Sequence, residues 1–233
     1  RMVVAPAETH FVIPEGVKTV KQGVFANSKV ESIVFPESME SIGNYSFQNN
    51  KTLKSIVFNG PTRIGNSAFY ECSSLTSVTF ALTTTSMGSS VIEEMGFKNC
   101  TALSSVIFFE DEFYSIGSQA FYGCTELKRL QLPREGAFGS CVFAYSGLTE
   151  LTIPGGISLH SECLSYCNKL KNVVIEVGVT EIPDCAFQYS SLQTITLPNT
   201  PLDLLLPPTR NKPFLNILYF LVNFNFHFFF MKM

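Results

Sequence analysis

The chain has 233 residues, of which 45% are hydrophobic and 15% charged, with a formal net charge of −3 and an isoelectric point near 5.7. This composition excludes an intrinsically disordered chain, and the slightly negative charge gives no electrostatic reason to expect a nucleic acid partner. Phenylalanine is frequent, at 22 residues, while tryptophan is absent. Such a bias indicates that one sequence position is used repeatedly.

The first residues already read as part of a repeating unit. Thr9–Pro14 alternates in hydrophobicity, which predicts a strand with Phe11 and Ile13 pointing inward. We therefore assign residues 1–16 to a partial N-terminal repeat. Because the sequence starts at Arg1, inside such a unit, we expect further coils upstream. No signal peptide is visible, and this leaves the compartment open.

An aromatic residue then recurs through residues 17–200, at separations of 22, 22, 28, 24, 22, 21 and 23 residues. A period of this length indicates a repeat solenoid, here of about eight coils. The longest separation contains Thr83 to Ser90, rich in Thr, Ser and Gly, which we interpret as a surface loop between coils. The members of the column are Phe25, Phe47, Phe69, Phe97, Phe121, Phe143, Leu164 and Phe187.

Each member of this column is followed by a triplet whose first and third residues are apolar. Period-2 alternation predicts a short strand with one face inward, one strand per coil, and the strands of successive coils run parallel. The triplets are Ile33-Val34-Phe35, Ile56-Val57-Phe58, Val78-Thr79-Phe80, Val106-Ile107-Phe108, Leu130-Gln131-Leu132, Leu151-Thr152-Ile153, Val173-Val174-Ile175 and Ile195-Thr196-Leu197.

The unit IGxxAFxxCxxLxxVxF, which starts at Ile64 and recurs in part from Ile116, closely resembles the BspA-like (Treponema-type) leucine-rich repeats of bacterial and protist surface proteins. The resemblance covers about residues 9–200, with departures at Leu164, at Ile182-Pro183 and at Met95-Gly96. It implies a β-rich, right-handed curved solenoid, displayed at a cell surface and used for adhesion or protein binding. It implies no active site, metal or cofactor.

The seven cysteines follow the repeat register. Four occupy one position, three residues after the aromatic column: Cys72, Cys100, Cys124 and Cys167. Cys141 and Cys185 lie two residues before the column, and Cys163 lies one residue before Leu164. No CxxC motif is present, and stacked coils are poorly spaced for a disulfide. We interpret the shared position as a ladder of buried thiols.

Other potential sites have simple structural explanations. His10, His160 and His227 lie in different coils or in the tail, so no Ser-His-Asp arrangement follows. Gly43, Gly65 and Gly117 each follow an Ile, and we interpret them as turn glycines rather than as a phosphate-binding loop. The acidic residues 110–112 could bind a cation, but they are more typical of a solvated loop.

Three N-glycosylation sequons occur, at Asn44, Asn50 and Asn99. Asn50 shares the position of the cysteine ladder, where we expect a buried turn. Asn44 and Asn99 therefore remain as the two candidates for modification.

The outward residues of the predicted strands form the candidate partner-binding surface. In the N-terminal half this surface is rich in hydroxyl groups and nearly uncharged, although β-branched residues also suit any strand. We expect a protein or extracellular-matrix ligand and no nucleic acid. The candidate residues are Val34, Val57, Ser77, Thr79, Ser105, Ile107, Arg129, Gln131, Thr152 and Val174.

Residues 201–233 form an apolar tail unrelated to the repeat. Phe214 to Met231 is long enough for a membrane span, so membrane association through this segment stays open, although Asn216, Asn223, Asn225 and His227 are unfavourable in hydrocarbon. A non-native tail, a membrane anchor and a hydrophobic cap remain as alternatives. Overall, the sequence predicts a non-enzymatic protein-binding module at the cell surface; an intracellular, cytoplasmic scaffold for protein interaction is the alternative.

Overall fold

The computed structural model describes residues 9–81, 89–109 and 112–198. These residues form a parallel β-solenoid of about eight coils, and none of them lies in a helix. Every strand pair is parallel and joins neighbouring coils in register. The predicted fold class, a β-rich repeat solenoid, is confirmed.

The predicted triplets form the strands along one side of the solenoid. They make a five-stranded sheet of β1 (His10–Val12), β3 (Ser32–Phe35), β5 (Ser55–Phe58), β7 (Ser77–Phe80) and β9 (Ser105–Ile107), and a three-stranded sheet of β12 (Glu150–Ile153), β14 (Asn172–Ile175) and β15 (Thr194–Thr196).

The prediction is wrong for one triplet. Leu130 and Leu132 point inward as expected and are at least nine-tenths buried, but residues 128–133 form no strand. Among the described residues, the backbone N–H groups of these two leucines donate to no carbonyl, so the ladder stops here. This gap separates the five-stranded sheet from the three-stranded one.

Most coils carry a second strand that sequence reasoning did not foresee, so one strand per coil accounts for only one side of the solenoid. The second strands form a seven-stranded sheet of β2 (Thr19–Val20), β4 (Ser41–Ile42), β6 (Arg63–Ile64), β8 (Ser89–Ile92), β10 (Phe113–Ile116), β11 (Glu135–Phe138) and β13 (Gly156–Ser158).

The strand β8 also corrects the loop predicted from Thr83 to Ser90. Ser89 and Ser90 belong to the strand, and the Ser90 side chain is fully buried. The remainder of that predicted loop, up to residue 88, lies outside the described residues, as do residues 199–233 with the apolar tail.

Two stacks of phenylalanine rings fill the core between the sheets. Neighbouring rings of the first column, from Phe25 to Phe143, have centroids 4.9 to 5.7 Å apart and interplanar angles of at most 17°. The third residues of the strand triplets, from Phe35 to Phe108, form a parallel stack at 5.0 to 5.6 Å. Rings of the two stacks meet edge to face, which is a favourable aromatic geometry. The predicted Phe column is confirmed.

The third side of each coil is a ladder of turns around the aromatic column. In the coil of Phe47, every second N–H group from Tyr45 to Asn49 donates to a carbonyl of the next coil, at 2.7 to 3.0 Å. The N–H groups between them close turns within the coil. This alternation places the residues two before and two after the aromatic column in the left-handed region, with φ between +53° and +72° in every coil.

The glycines that follow isoleucine serve a different purpose from the predicted one. Gly43, Gly65 and Gly117 do not have left-handed backbone angles. Instead they allow a close approach between coils: a Cβ on Gly43 or on Gly117 would lie 2.6 Å from a backbone nitrogen of the preceding coil. A methyl group has no room at that distance, so glycine is required by packing.

Removing a ring from the centre of the stack should lower the free energy of unfolding more than removing a ring from its end. Phe97→Ala removes a fully buried ring that contacts a ring on each side, and we expect a loss of about 3–5 kcal/mol in the free energy of unfolding. Phe25→Ala, at the half-buried N-terminal end of the stack, is the control and should cost clearly less. Urea unfolding followed by circular dichroism measures both, and equal losses would contradict the stack as the main source of stability.

Candidate binding surface

The candidate residues of the N-terminal half lie side by side. The register of β3, β5, β7 and β9 aligns Val34, Val57, Thr79 and Ile107 in one column. Ser77 and Ser105 lie in the neighbouring column, which is continued by Ser32 and Ser55. We call these two outward columns the neutral strand face, because none of these eight side chains is charged.

The neutral strand face is partly exposed. Ile107 has 54% of its surface exposed, while Val34, Val57 and Thr79 are half-buried against one another. Hydroxyl groups and short aliphatic side chains can hydrogen-bond and pack at the same time. Among these eight side chains, Ser32 forms an exposed hydrogen bond of 2.7 Å with the His10 ring at the N-terminal end of the face. This geometry is suited to binding rather than to chemistry.

The C-terminal candidates lie on the far side of the gap in the ladder. Thr152 and Val174 are paired on β12 and β14, whereas Arg129 and Gln131 lie on the segment that forms no strand. The structure therefore does not unite all ten candidates on one continuous sheet. It divides them between the neutral strand face and a second, charged region.

This charged region is a depression of about 700 Å³, which we call the notch. Leu130, Leu132 and Leu151 form its apolar floor, and charged and polar side chains form its rim. The charged and polar rim residues are Arg129, Gln131, Arg134, Glu150, Thr152, Asn172 and Glu176, and the apolar residues Pro154 and Val174 complete the lining. An apolar floor with a polar rim is typical of a binding pocket.

Sequence reasoning missed Arg134 and Glu176 because both lie just after a triplet, at the corner of the coil, rather than on the strand. For Glu176 the available signal was a charge at a position that holds proline in four other coils. Across the rim, the Arg129 Nε atom lies 3.3 Å from the Glu150 Oε1 atom. Both side chains are at least half exposed, so this ion pair contributes little stability and stays accessible to a partner.

The cysteine ladder is buried as predicted. Each thiol donates a weak hydrogen bond to the carbonyl of an aromatic-column residue in the preceding coil, as from Cys72 to Phe47 at 3.1 Å and from Cys100 to Phe69 at 3.2 Å. Burial raises the pKa of Cys124 to about 12. Such thiols remain protonated and unreactive at neutral pH.

The acidic loop prediction is wrong at Glu112, while residues 110 and 111 lie outside the described residues. Glu112 is only 4% exposed, and its carboxylate accepts a hydrogen bond from the Ser90 hydroxyl at 2.9 Å. Ser90 in turn accepts from the Thr62 N–H group, and burial raises the pKa of Glu112. The residue closes a polar network between coils instead of facing solvent.

The histidines show no catalytic arrangement. His160 lines a small polar pocket with Ser158, Ser161, Glu181 and Asp184, but within the described part of the chain its ring forms no hydrogen bond with them. His10 bonds the Ser32 hydroxyl, and His227 lies outside the described residues. Across the described ranges, no three His, Cys, Asp or Glu side chains are arranged to hold a metal ion.

The sequons differ in exposure. Asn50 is fully buried, as predicted, and its side-chain oxygen accepts from the N–H groups of Thr52 and Leu53. Asn44 is exposed and Asn99 is half-buried, so their modification remains a prediction.

As for the membrane, residues 9–81, 89–109 and 112–198 contain no helix of the length and hydrophobicity needed to cross a bilayer.

Known proteins with the same repeat are found by comparison. The sequence profile of the family described as "BspA type Leucine rich repeat region (6 copies)" matches residues 7–96 and 90–204. The comparison with curated proteins gives no match.

Solved structures share the fold. A leucine-rich repeat protein from Bacteroides ovatus ATCC 8483 superposes with a TM-score of 0.53 at 21% identity, over 78% of this chain and 46% of that one. The T. pallidum leucine-rich repeat protein gives 0.50 at 19% identity, over 83% and 80% of the two chains. A leucine-rich repeat protein from Eubacterium ventriosum ATCC 27560 gives 0.50 at 25% identity, over 62% and 45%. This chain thus spans about half the length of two of these three proteins.

Thiol labelling tests the burial of the cysteine ladder. In the native protein, iodoacetamide at mildly alkaline pH should modify Cys141 and Cys185, which are partly exposed, well before Cys72, Cys100, Cys124, Cys163 and Cys167, which are buried. Peptide mass spectrometry after timed quenching gives the rate at each site, and all seven should react in urea. Modification of Cys124 as fast as Cys141 without urea would contradict the packing.

The burial of Glu112 predicts a pH dependence of stability. Because its pKa is raised in the folded state, the folded protein binds this proton more tightly than the unfolded chain. The free energy of unfolding should therefore fall as the pH rises from the ordinary carboxyl value through the raised one. Glu112→Gln keeps the shape without the charge, so its stability relative to the unmodified chain should increase across that range. Urea unfolding at a series of pH values measures this difference, and a constant difference would refute the assignment.

Proposed function

This chain belongs to the BspA type leucine-rich repeat family, and we propose that it is a non-enzymatic, protein-binding module that recognises a protein or extracellular-matrix partner through its strand surface. The observation that carries the proposal is the neutral strand face, where Val57, Thr79 and Ile107 form a partly exposed column beside a column of serines. Solenoids of stacked repeats commonly bind partners across such extended surfaces.

The notch extends this surface. Its charged rim orients the bound partner, because Arg129 and Glu150 present opposite charges to a partner that covers the neutral strand face. The two regions together offer the combination that protein interfaces use, with an apolar centre and a polar rim.

Display at a cell surface, with a role in adhesion, is our proposed location for this binding, and it rests on the family resemblance. An intracellular scaffold is the second candidate, and one observation favours it: all seven cysteines are free thiols, five of them buried, as is usual for proteins of reducing compartments. Both candidates use the same surface, so the binding experiment below applies to each.

Charge placed on the neutral strand face should abolish binding without unfolding the solenoid. Thr79→Lys and Ile107→Lys put an ammonium group where a partner must exclude water, and we expect at least tenfold weaker binding to an immobilised extracellular-matrix protein such as fibronectin, laminin or collagen in surface plasmon resonance.

The matched control is Val24→Lys, which adds the same charge at an aliphatic residue that is 58% exposed and lies away from the strand surface, in the turn ladder. It should bind like the unmodified chain. If the two strand-face variants also bound unchanged, the strand surface would not be the binding site.

A further inference from the structure

A row of stacked tyrosines lies on the turn side of the C-terminal coils, separate from the strand surface. Tyr122, Tyr145, Tyr166 and Tyr189 have successive ring centroids 5.0, 4.5 and 4.7 Å apart. The Lys98 ammonium group lies 4.7 Å from the centre of the Tyr122 ring and closes the N-terminal end of the row. We call these four residues the tyrosine ladder.

The repeat does not require tyrosine at these positions. Tyr145, Tyr166 and Tyr189 occupy the left-handed position two residues after the aromatic column, which bulky side chains rarely adopt. In earlier coils the same position holds residues that tolerate this conformation better, such as Asn27, Asn49, Asn99 and Gly123. All eight coils have the left-handed backbone at this position, so the tyrosines differ from the other coils in their side chains and not in their backbone conformation.

The exposed parts of the tyrosine ladder are ring edges and hydroxyl groups, because the inner ring faces cover one another. Tyr145 is 40% exposed and Tyr189 is 62% exposed. Partial desolvation raises the pKa of Tyr145 and Tyr166, so that both phenols keep their protons at neutral pH. The ladder therefore offers a row of protonated phenol groups on an apolar support, in which the Tyr145 hydroxyl also interacts with those of Tyr122 and Tyr166.

The spacing of this row fits one peptide conformation. Two ladder steps, of 4.5 and 4.7 Å, match one turn of a polyproline II helix, which advances about 9.3 Å in three residues. Extended β-strands repeat every ~6.6–6.8 Å and fit neither one step nor two. A polyproline II helix also has no internal hydrogen bonds, so its carbonyl groups are free to accept from the tyrosine hydroxyls.

Charge beside the ladder points to a basic partner. Glu162 lies close enough to Tyr166 to raise the pKa of that phenol, and its N–H group donates to the carbonyl of Asp184 in the next coil. Asp184 is exposed and Glu162 is half-buried, so Glu162 borders Tyr166 and Asp184 follows it in the adjacent coil. A lysine or arginine next to the proline-rich segment would be attracted to this edge.

We propose that the tyrosine ladder binds a proline-rich segment in the polyproline II conformation, with a basic residue of that segment placed against Glu162 and Asp184. Aromatic surfaces with exposed hydroxyl groups recognise such segments because the helix is preformed and loses little entropy on binding. This surface lies on the turn side of the C-terminal coils, whereas the neutral strand face lies on a sheet side of the earlier coils. The chain would thus bind two partners, or two parts of one partner, at the same time.

Fluorescence anisotropy of the full-length chain with a labelled peptide of ten prolines and a terminal arginine tests the proposal. We expect saturable binding, at least tenfold tighter than for a glycine-serine peptide of the same length and charge. Tyr145→Asn and Tyr166→Asn should weaken binding at least tenfold, and Tyr166→Phe should weaken it severalfold through loss of the hydroxyl group. Asparagine suits the left-handed position, so the backbone is preserved. Glu162→Gln should weaken binding and reduce its salt dependence.

Tyr45→Asn is the matched control. Tyr45 has the same exposure as Tyr145, 40%, and the same φ of +58°, but it lies in an early coil away from the ladder. Its replacement should leave peptide binding unchanged, and circular dichroism should show the same fold for all variants. The proposal is overturned if the proline peptide does not bind at millimolar concentration, or if Tyr145→Asn and Tyr45→Asn have equal effects. Neither result would affect binding at the neutral strand face, which the lysine variants test separately.

Discussion

The backbone hydrogen bonds between successive coils set the spacing on which the rest of the structure depends. They occur on the two strand sides and on the turn side, so that neighbouring coils are held at about the separation of paired strands. Phenylalanine rings stack well at this distance, and centroids 4.9 Å apart are found from Phe25 to Phe47 and from Phe47 to Phe69. The same packing arrangement of core side chains is therefore repeated in successive coils.

The repeated core leaves the outward-facing residues free to differ between coils. An outward position is not fixed by the ring stacks, so the same column can carry serine in one part of the solenoid and arginine or glutamate in another. The two columns of the neutral strand face and three of the four ladder tyrosines, Tyr145, Tyr166 and Tyr189, occupy equivalent positions in neighbouring coils. The proposed binding surfaces are accordingly defined by columns of residues rather than by single residues.

The inward pattern was predictable because it follows from spacing alone. The Phe column, the inward triplet residues and the buried cysteine ladder all recur at fixed positions, and the structure confirms them. Features that depend on contacts between coils were not predictable. The burial of Glu112 depends on Ser90 in the preceding coil, and glycine is needed at Gly117 because of backbone atoms there. The arrangement of the candidate residues was predictable in part: those of the N-terminal half lie on one sheet face, as their spacing indicates, but no local signal revealed that Leu130–Leu132 leaves the ladder. Whether these residues bind a partner remains a prediction.

The break in the strand ladder at Leu130–Leu132 affects where the solenoid can bend. Among the described residues, no strand pairing connects β9 to β12 on the strand surface. On another side β10, β11 and β13 remain continuously paired across the same coils, and so does the turn ladder. The hydrogen bonding between coils is thus interrupted on one sheet side and continuous on the other sheet side and on the turn side. Bending at this gap would leave the other two sides paired and would change the width of the notch. The width of the notch and the curvature of the solenoid would therefore change together.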